Sequence, residues 1–263
     1  MILKNFPRKM REICKNMCDL SVSELNQLIR RGGERAVELG LAQREALPIY
    51  DGVADEVSYR AESPRIAWVL KEPWDKFDEN GDPCGGGWSL VKEAFYKSDA
   101  WRNPVWQKIA YVMHGVRHGR KWEDMPRIRN CREMIHELRS MVWINVNKMP
   151  AQKNSSNGRF VRLYNEVWKD VLRKQIEFFD PNVIIFARTF ECFRVREYSN
   201  AVFVESYSNK WVKFYRYGGQ VLIETYHPGR KGGVYVNALI EALERAKEEL
   251  DIGIHNEREP KIS

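Results

Sequence analysis

Three short runs, at residues 65–70, 141–146 and 183–186, are apolar at nearly every position, and amphipathic stretches separate them. That alternation leaves few folds open, because wholly apolar strands between helices indicate a mostly parallel sheet with helices on both faces. The first run ends abruptly in Lys71-Glu72-Pro73, followed by Trp74-Asp75. A strand interior rejects charge and proline. The C-terminal edge of a parallel sheet accepts them, and ligands of open α/β sheets bind there. The second run carries Asn145 and exits through Asn147-Lys148-Met149-Pro150, and the third ends near Arg188. A last strand over 220–225 runs into Tyr226-His227-Pro228-Gly229. Carboxylate, amide, imidazole and aromatic groups thus leave several strands at one end, where they can converge on one cleft.

The rest of the chain reads as connections and helices. Ser21-Val22-Ser23-Glu24 is a capping box and predicts a helix through residue 39, with an interruption at Gly32-Gly33. Residues 48–64 read as a connection, and residues 78–89 as a loop rich in breakers. Helices are expected over 90–96, from Pro104, over 128–139, over 160–179 and over 188–195. Strands at 202–205 and 211–217 precede the final one, and Gly218-Gly219 marks a tight hairpin. A closing helix spans 234–250, with a frayed tail after it. The expected organisation is a helical extension over 1–60, one three-layer α/β domain over 61–252 and a tail over 253–263.

Lysine and arginine number 43 against 36 acidic residues, a net charge of +7, which favours polyanions and nucleic acid first among them. No apolar run has membrane-helix length, and the first residues lack a signal-peptide core, so a cytoplasmic, intracellular protein is expected. The five cysteines (Cys14, Cys18, Cys84, Cys131 and Cys192) are odd in number, which argues against a disulfide framework. Cys14 and Cys18 stand four apart on a helical stretch, but no close C-x-x-C follows, so free thiols are preferred to a metal site. His114, His118 and His136 read as surface or core residues. Trp106, Trp122 and Trp168 fall on helix-like periods and read as packing. Gly85-Gly86-Gly87-Trp88-Ser89 lacks the lysine-serine ending of a P-loop and reads as a mobile loop.

The strand exits resemble the uracil-DNA glycosylase superfamily. There an apolar strand ends in a motif such as Gly-Gln-Asp-Pro-Tyr or Gly-Glu-Ala-Pro-Gly, another carries an asparagine, and the last ends in His-Pro-Ser. The counterparts here are Leu70-Lys71-Glu72-Pro73-Trp74, Ile144-Asn145-Val146 and His227-Pro228-Gly229, with residues 181–187 resembling a core strand. The resemblance spans residues 64–250, although its specific content is under a dozen residues. The sequence departs from the family at Leu70 for glycine, Glu72 for aspartate, Trp74 for tyrosine and Gly229 for serine. These departures bear on which base is recognised more than on the fold.

What the resemblance implies is excision of a flipped, damaged or deaminated base, uracil the first candidate, without a metal or other cofactor. Breaking an N-glycosidic bond develops positive charge on the sugar and negative charge on the leaving base. Glu72 suits the first and His227 the second. Asn145 can read a base edge through one donor and one acceptor. Trp74, Phe77 and Trp88 are candidates to stack on the extruded base. Lys71, Lys148, Arg188, Arg230 and Lys231 are candidates for phosphate contacts. The expected partner is DNA, double- or single-stranded, bound by a monomer. Two other readings stay open: a non-catalytic nucleic-acid-binding member of the same fold, and a hydrolase or transferase of small nucleotides.

Overall fold

A computed structural model describes residues 20–151, 157–208, 210–229 and 231–258. Seven strands form one sheet in the order β1-β3-β2-β4-β7-β6-β5. They are β1 (Gly52–Val53), β2 (Ile66–Leu70), β3 (Val142–Asn145), β4 (Val183–Ala187), β5 (Val202–Tyr207), β6 (Val212–Tyr217) and β7 (Gln220–Thr225). β3, β2, β4 and β7 run parallel to one another, while β1, β6 and β5 pair antiparallel. The sheet is therefore mixed: a four-stranded parallel core with antiparallel strands on both sides. The β6–β7 connection is the expected hairpin, with Gly218 at φ 55°.

The parallel core explains the unbroken apolar runs. β2 and β4 are buried at every position, because each is covered on both faces. Ile66, Trp68 and Leu70 point into one core, with helices α3 (Pro104–His118) and α7 (Gly233–Arg258) over it. Ala67 and Val69 point into the other, with Ile29 and Leu172. That second core is closed by α1 (Val22–Glu38), α4 (Asn157–Leu163), α5 (Lys169–Phe179) and α6 (Phe190–Arg194). A short helix, α2 (Glu56–Ala61), leads toward β2. The result is a three-layer α/β domain.

The capping box forms as expected. Ser21 Oγ accepts from the Glu24 amide, and the Glu24 carboxylate accepts from the Ser21 amide. Gly32-Gly33 does not interrupt α1. A Cβ on Gly32 would stand 2.4 Å from the Trp168 ring, and one on Gly33 would stand 2.8 Å from Pro48, so both glycines serve close packing. From residue 20 on, the stretch expected to form a separate extension packs on the domain: α1 buries Leu25, Ile29 and Ala36 in the core, and β1 is an edge strand; residues 1–19 lie outside the described residues.

Other elements differ from expectation. The stretch read as a helix over 128–139 is two 3₁₀ segments, Ile128–Asn130 and Arg132–Ser140. The helix expected at 90–96 is a turn and a 3₁₀ segment, Ala94–Tyr96. Between α4 and α5 lies a π-helical turn, Tyr164–Trp168. Helix α7 continues to Arg258, past the boundary expected at 252. No helix among the described residues is long and apolar enough to cross a membrane.

Candidate active site at the C-terminal edge of the sheet

In chain order the parallel core reads second, first, third, fourth. The connections that leave β2 and β4 pass to opposite faces, toward α3 and α6, which puts a topological switch point between these strands. β2 exits at Lys71-Glu72-Pro73 and β4 at Arg188. The exits stay ordered beyond the strands themselves. Val146, Asn147 and Ala151 donate backbone hydrogen bonds to Leu70, Lys71 and Pro73 at 2.8, 2.9 and 2.8 Å. Arg188, at φ 60°, donates its amide to the Thr225 carbonyl at 2.8 Å. A cleft of about 630 Å³ opens at this edge, and Lys71, Arg188, Lys210, Trp211, Tyr226 and His227 are among its walls.

Glu72 leaves the sheet with only 8% of its side chain exposed. Asn147 Nδ2 donates to its Oε2 at 3.2 Å. Asn147 is itself fixed, because its Oδ1 accepts from Trp168 Nε1 at 3.1 Å and from the Met149 amide at 3.0 Å. The π-helical turn delivers that indole. Lys71 Nζ stands 3.9 Å from Glu72 Oε1 and 4.8 Å from the Phe160 ring centre. Sequence reasoning assigned Asn147 no role. The signal available was a second asparagine two residues after Asn145, at a strand exit where a free amide needs partners.

His227 is set by its own turn. Its Nδ1 accepts from the Gly229 amide at 3.2 Å. In the neutral ring the proton therefore sits on Nε2, which remains a donor. Burial, then the positive charges of Arg188 and Lys231, hold the imidazole below its usual pKa. His227 is nonetheless exposed at the surface, and the lowered pKa favours the neutral ring at pH 7. Gly229 fits this turn closely, since a Cβ there would lie 3.3 Å from Nδ1. Beside it, Lys231 Nζ lies 4.9 Å from the Trp211 ring centre and 5.1 Å from that of Tyr226, and Arg188 approaches Tyr226 at 5.8 Å. Arg230 lies outside the described residues.

Two expected contacts are placed differently. Lys148, expected to meet phosphate, is fully buried. Its Nζ donates to Asp51 Oδ1 and Oδ2 at 2.9 and 2.8 Å and to the Asn145 carbonyl at 2.8 Å. Gln175 Nε2 and the Asn145 amide complete the coordination of Asp51. Burial lowers the Lys148 pKa, and Asp51 opposes that shift. This lysine is a structural counter-ion and cannot reach a polyanion. Asn145 is 2% exposed. Trp143 Nε1 donates to its Oδ1 at 3.3 Å, which orients the amide, and Nδ2 has no partner among the described residues.

The aromatic candidates divide. Trp74 is 62% exposed and packs on Phe77 with ring centres 5.8 Å apart, at the surface of the loop. Trp88 is half-buried and donates Nε1 to Asp75 Oδ2 at 2.7 Å. Of the expected catalytic and base-binding residues, His227 lines the 630 Å³ cleft, whereas Glu72, Asn145, Trp74, Phe77 and Trp88 do not. The glycine run beside Trp88 is structural: Gly85, Gly86 and Gly87 all have positive φ, and a Cβ on Gly86 would come within 1.8 Å of the Leu47 carbonyl oxygen. No protein-family model matches the chain, and no curated protein is significantly similar to it.

Proposed function

We propose that this protein is a DNA glycosylase-like enzyme that binds DNA and hydrolyses the N-glycosidic bond of a flipped, damaged or deaminated base. The observation that carries this reading is that a tautomer-fixed His227 and an Asn147-held Glu72 carboxylate stand on exits of the same parallel core, at β7 and β2. β2 and β7 are separated by β4 alone, so their exits stand about 10 Å apart at ordinary strand spacing. A nucleoside fits that gap, with its base toward one exit and its sugar toward the other.

The chemistry follows from the charges. As the bond breaks, the base oxygen gains negative charge, and Nε2–H of His227 donates to it. The neutral ring keeps this donor because its Nδ1 is held as an acceptor by the Gly229 amide. Glu72 faces the sugar, where a carboxylate stabilises developing cationic character or orients the attacking water. Asn147 holds its carboxylate for either task. Lys71 and Arg188 give the cleft a positive wall for phosphates, with Lys231 beside it on the Trp211 and Tyr226 rings. The unpartnered Nδ2 of Asn145 is a buried donor that costs about 1–3 kcal/mol unsatisfied, and it lies behind the cleft wall and not on it. Uracil is the first candidate. Trp74, turned outward, leaves room for larger bases.

One feature favours a second reading, a non-catalytic nucleic-acid-binding protein. Glu72 is nearly enclosed, bonded to Asn147 and close to Lys71, which suits a carboxylate with a structural task. A single experiment separates the two. Purified protein is incubated with single- and double-stranded oligonucleotides carrying uracil, hypoxanthine, xanthine or oxidised bases, and abasic sites are revealed by alkaline cleavage. Base release that is lost in Glu72→Gln supports the enzyme. Salt-sensitive binding with no release from any substrate supports the second reading and rejects the first.

A further inference from the structure

The described residues include a cluster that the candidate active site does not use. His114 and His118 stand four apart in the last turns of α3, so their imidazoles share one helix face and lie with ring centres 4.2 Å apart. Glu137, from the 3₁₀ segment Arg132–Ser140, reaches between them. His114 Nδ1 is 2.9 Å from its Oε1, and His118 Nε2 is 3.5 Å from the same atom. All three ligand atoms lie within 4.8 Å of one another.

We propose that His114, His118 and Glu137 form a binding site for a divalent transition cation, Zn²⁺ in the first place. Bonds of about 2.0–2.1 Å in tetrahedral geometry put neighbouring ligand atoms about 3.3 Å apart. The two short separations bracket that value, so an ion can enter by small rotations of the side chains. Two imidazoles and one carboxylate suit zinc, with the fourth position left to water. His118 is half exposed, which gives an entry path, while His114 and Glu137 are mostly enclosed.

The surroundings support a cation. Arg117 binds the other carboxylate oxygen, Glu137 Oε2, and also donates to the Ser140 hydroxyl at 2.6 Å. It thereby fixes the carboxylate, as outer partners of metal ligands do. Arg117 also pairs with Glu62 at 2.8 Å, so its charge is shared between two carboxylates. The C-terminal end of a helix also carries partial negative charge.

The site is remote from the cleft. Glu62 precedes β2 and Ser140 precedes β3, so the cluster lies at the N-terminal edge of the parallel strands, opposite Glu72 and His227. A metal here is a tie between α3 and the Arg132–Ser140 segment and takes no part in base chemistry.

The test uses the full chain, stripped with a chelator and dialysed against metal-free buffer. Zn²⁺ alone is titrated calorimetrically, and Co²⁺ is added separately to read its visible absorption. The expected result is one equivalent that is weakened at least about a hundredfold in His118→Ala, with a tetrahedral Co²⁺ spectrum that this variant loses. Because His118 is half exposed, the variant keeps its fold, which circular dichroism checks. Glu137→Gln gives a second reading of the same site. Any equivalent bound at Cys14 and Cys18 survives both substitutions and cancels in the comparison. Zinc binding that is absent, or identical in wild type and His118→Ala, overturns the proposal.

Discussion

Lys148→Met tests the buried ion pair directly. The methionine keeps most of the volume but removes three hydrogen bonds from Nζ, two to Asp51 and one to the Asn145 carbonyl. Asp51, whose side chain is fully buried, then retains only Gln175 and the Asn145 amide. Leaving one buried charge without its counter-ion costs about 3–5 kcal/mol. For a domain of this size a urea m-value of about 3 kcal/mol/M turns that into a midpoint lowered by about 1–1.7 M. Replacing both partners, as Asp51→Leu with Lys148→Met, removes the stranded charge and recovers most of the loss. Equilibrium urea unfolding, followed by tryptophan fluorescence, measures the single and double variants against wild type. Nucleic-acid affinity adds an independent reading. A lysine on phosphate lowers the salt slope by about one unit when lost, whereas a buried one leaves the slope unchanged in folded protein. A single variant within about 1 kcal/mol of wild type, or a slope lowered by one unit, would refute the assignment.

His227→Ala should slow single-turnover excision by about a hundred- to a thousand-fold, with duplex affinity nearly intact, because the donor acts mainly in the transition state. The depressed His227 pKa means that the folded state resists protonation. Its contribution to stability is therefore present above the ordinary histidine value and is lost as pH falls through the lower folded value, which acid titration of unfolding checks. Arg188→Gln removes one of the charges that lower this pKa, so the imidazole should titrate at higher pH, as followed by NMR. Gly86→Ala places a methyl against the Leu47 carbonyl at φ 82° and should cost about 2–4 kcal/mol in urea unfolding.

How much was legible in the sequence depended on how local the cause was. The exits of β2 and β7 could be read because a chain tolerates charge and proline directly after an apolar run at few places besides a strand end. The capping box was legible for the same reason: both partners lie within four residues. Lys148 was not, since its partner Asp51 is distant in sequence and only pairing of the intervening strands brings them together. Gly32-Gly33 looked like a break, yet their hydrogens make room for Trp168 and Pro48 from elsewhere in the chain. The periodicity over 128–139 was real, but i→i+3 bonding also places apolar residues on one side, so period alone did not separate 3₁₀ from α. The antiparallel strands β5 and β6 were visible as strands, while their place beyond β7 was not. Asn147 was hidden by its neighbour Asn145, which fits the resemblance better but bonds Trp143 instead of Glu72.

The π-helical turn at Tyr164–Trp168 works as a phase shifter within one rod. One extra residue in a helical turn changes the angular position of everything beyond it by about 100°. The two halves of the rod can therefore face different neighbours. α4 turns Phe160 toward Lys71 and sends Arg159 to the Leu41 carbonyl, while α5 turns Val171, Leu172 and Gln175 inward. At the splice sits Trp168, whose ring presses on Gly32 and whose indole nitrogen reaches Asn147. Deleting one residue would make the rod a regular α-helix and more stable in isolation. It would also misalign either the cleft wall or the core, so the irregularity is what lets a single helix belong to both.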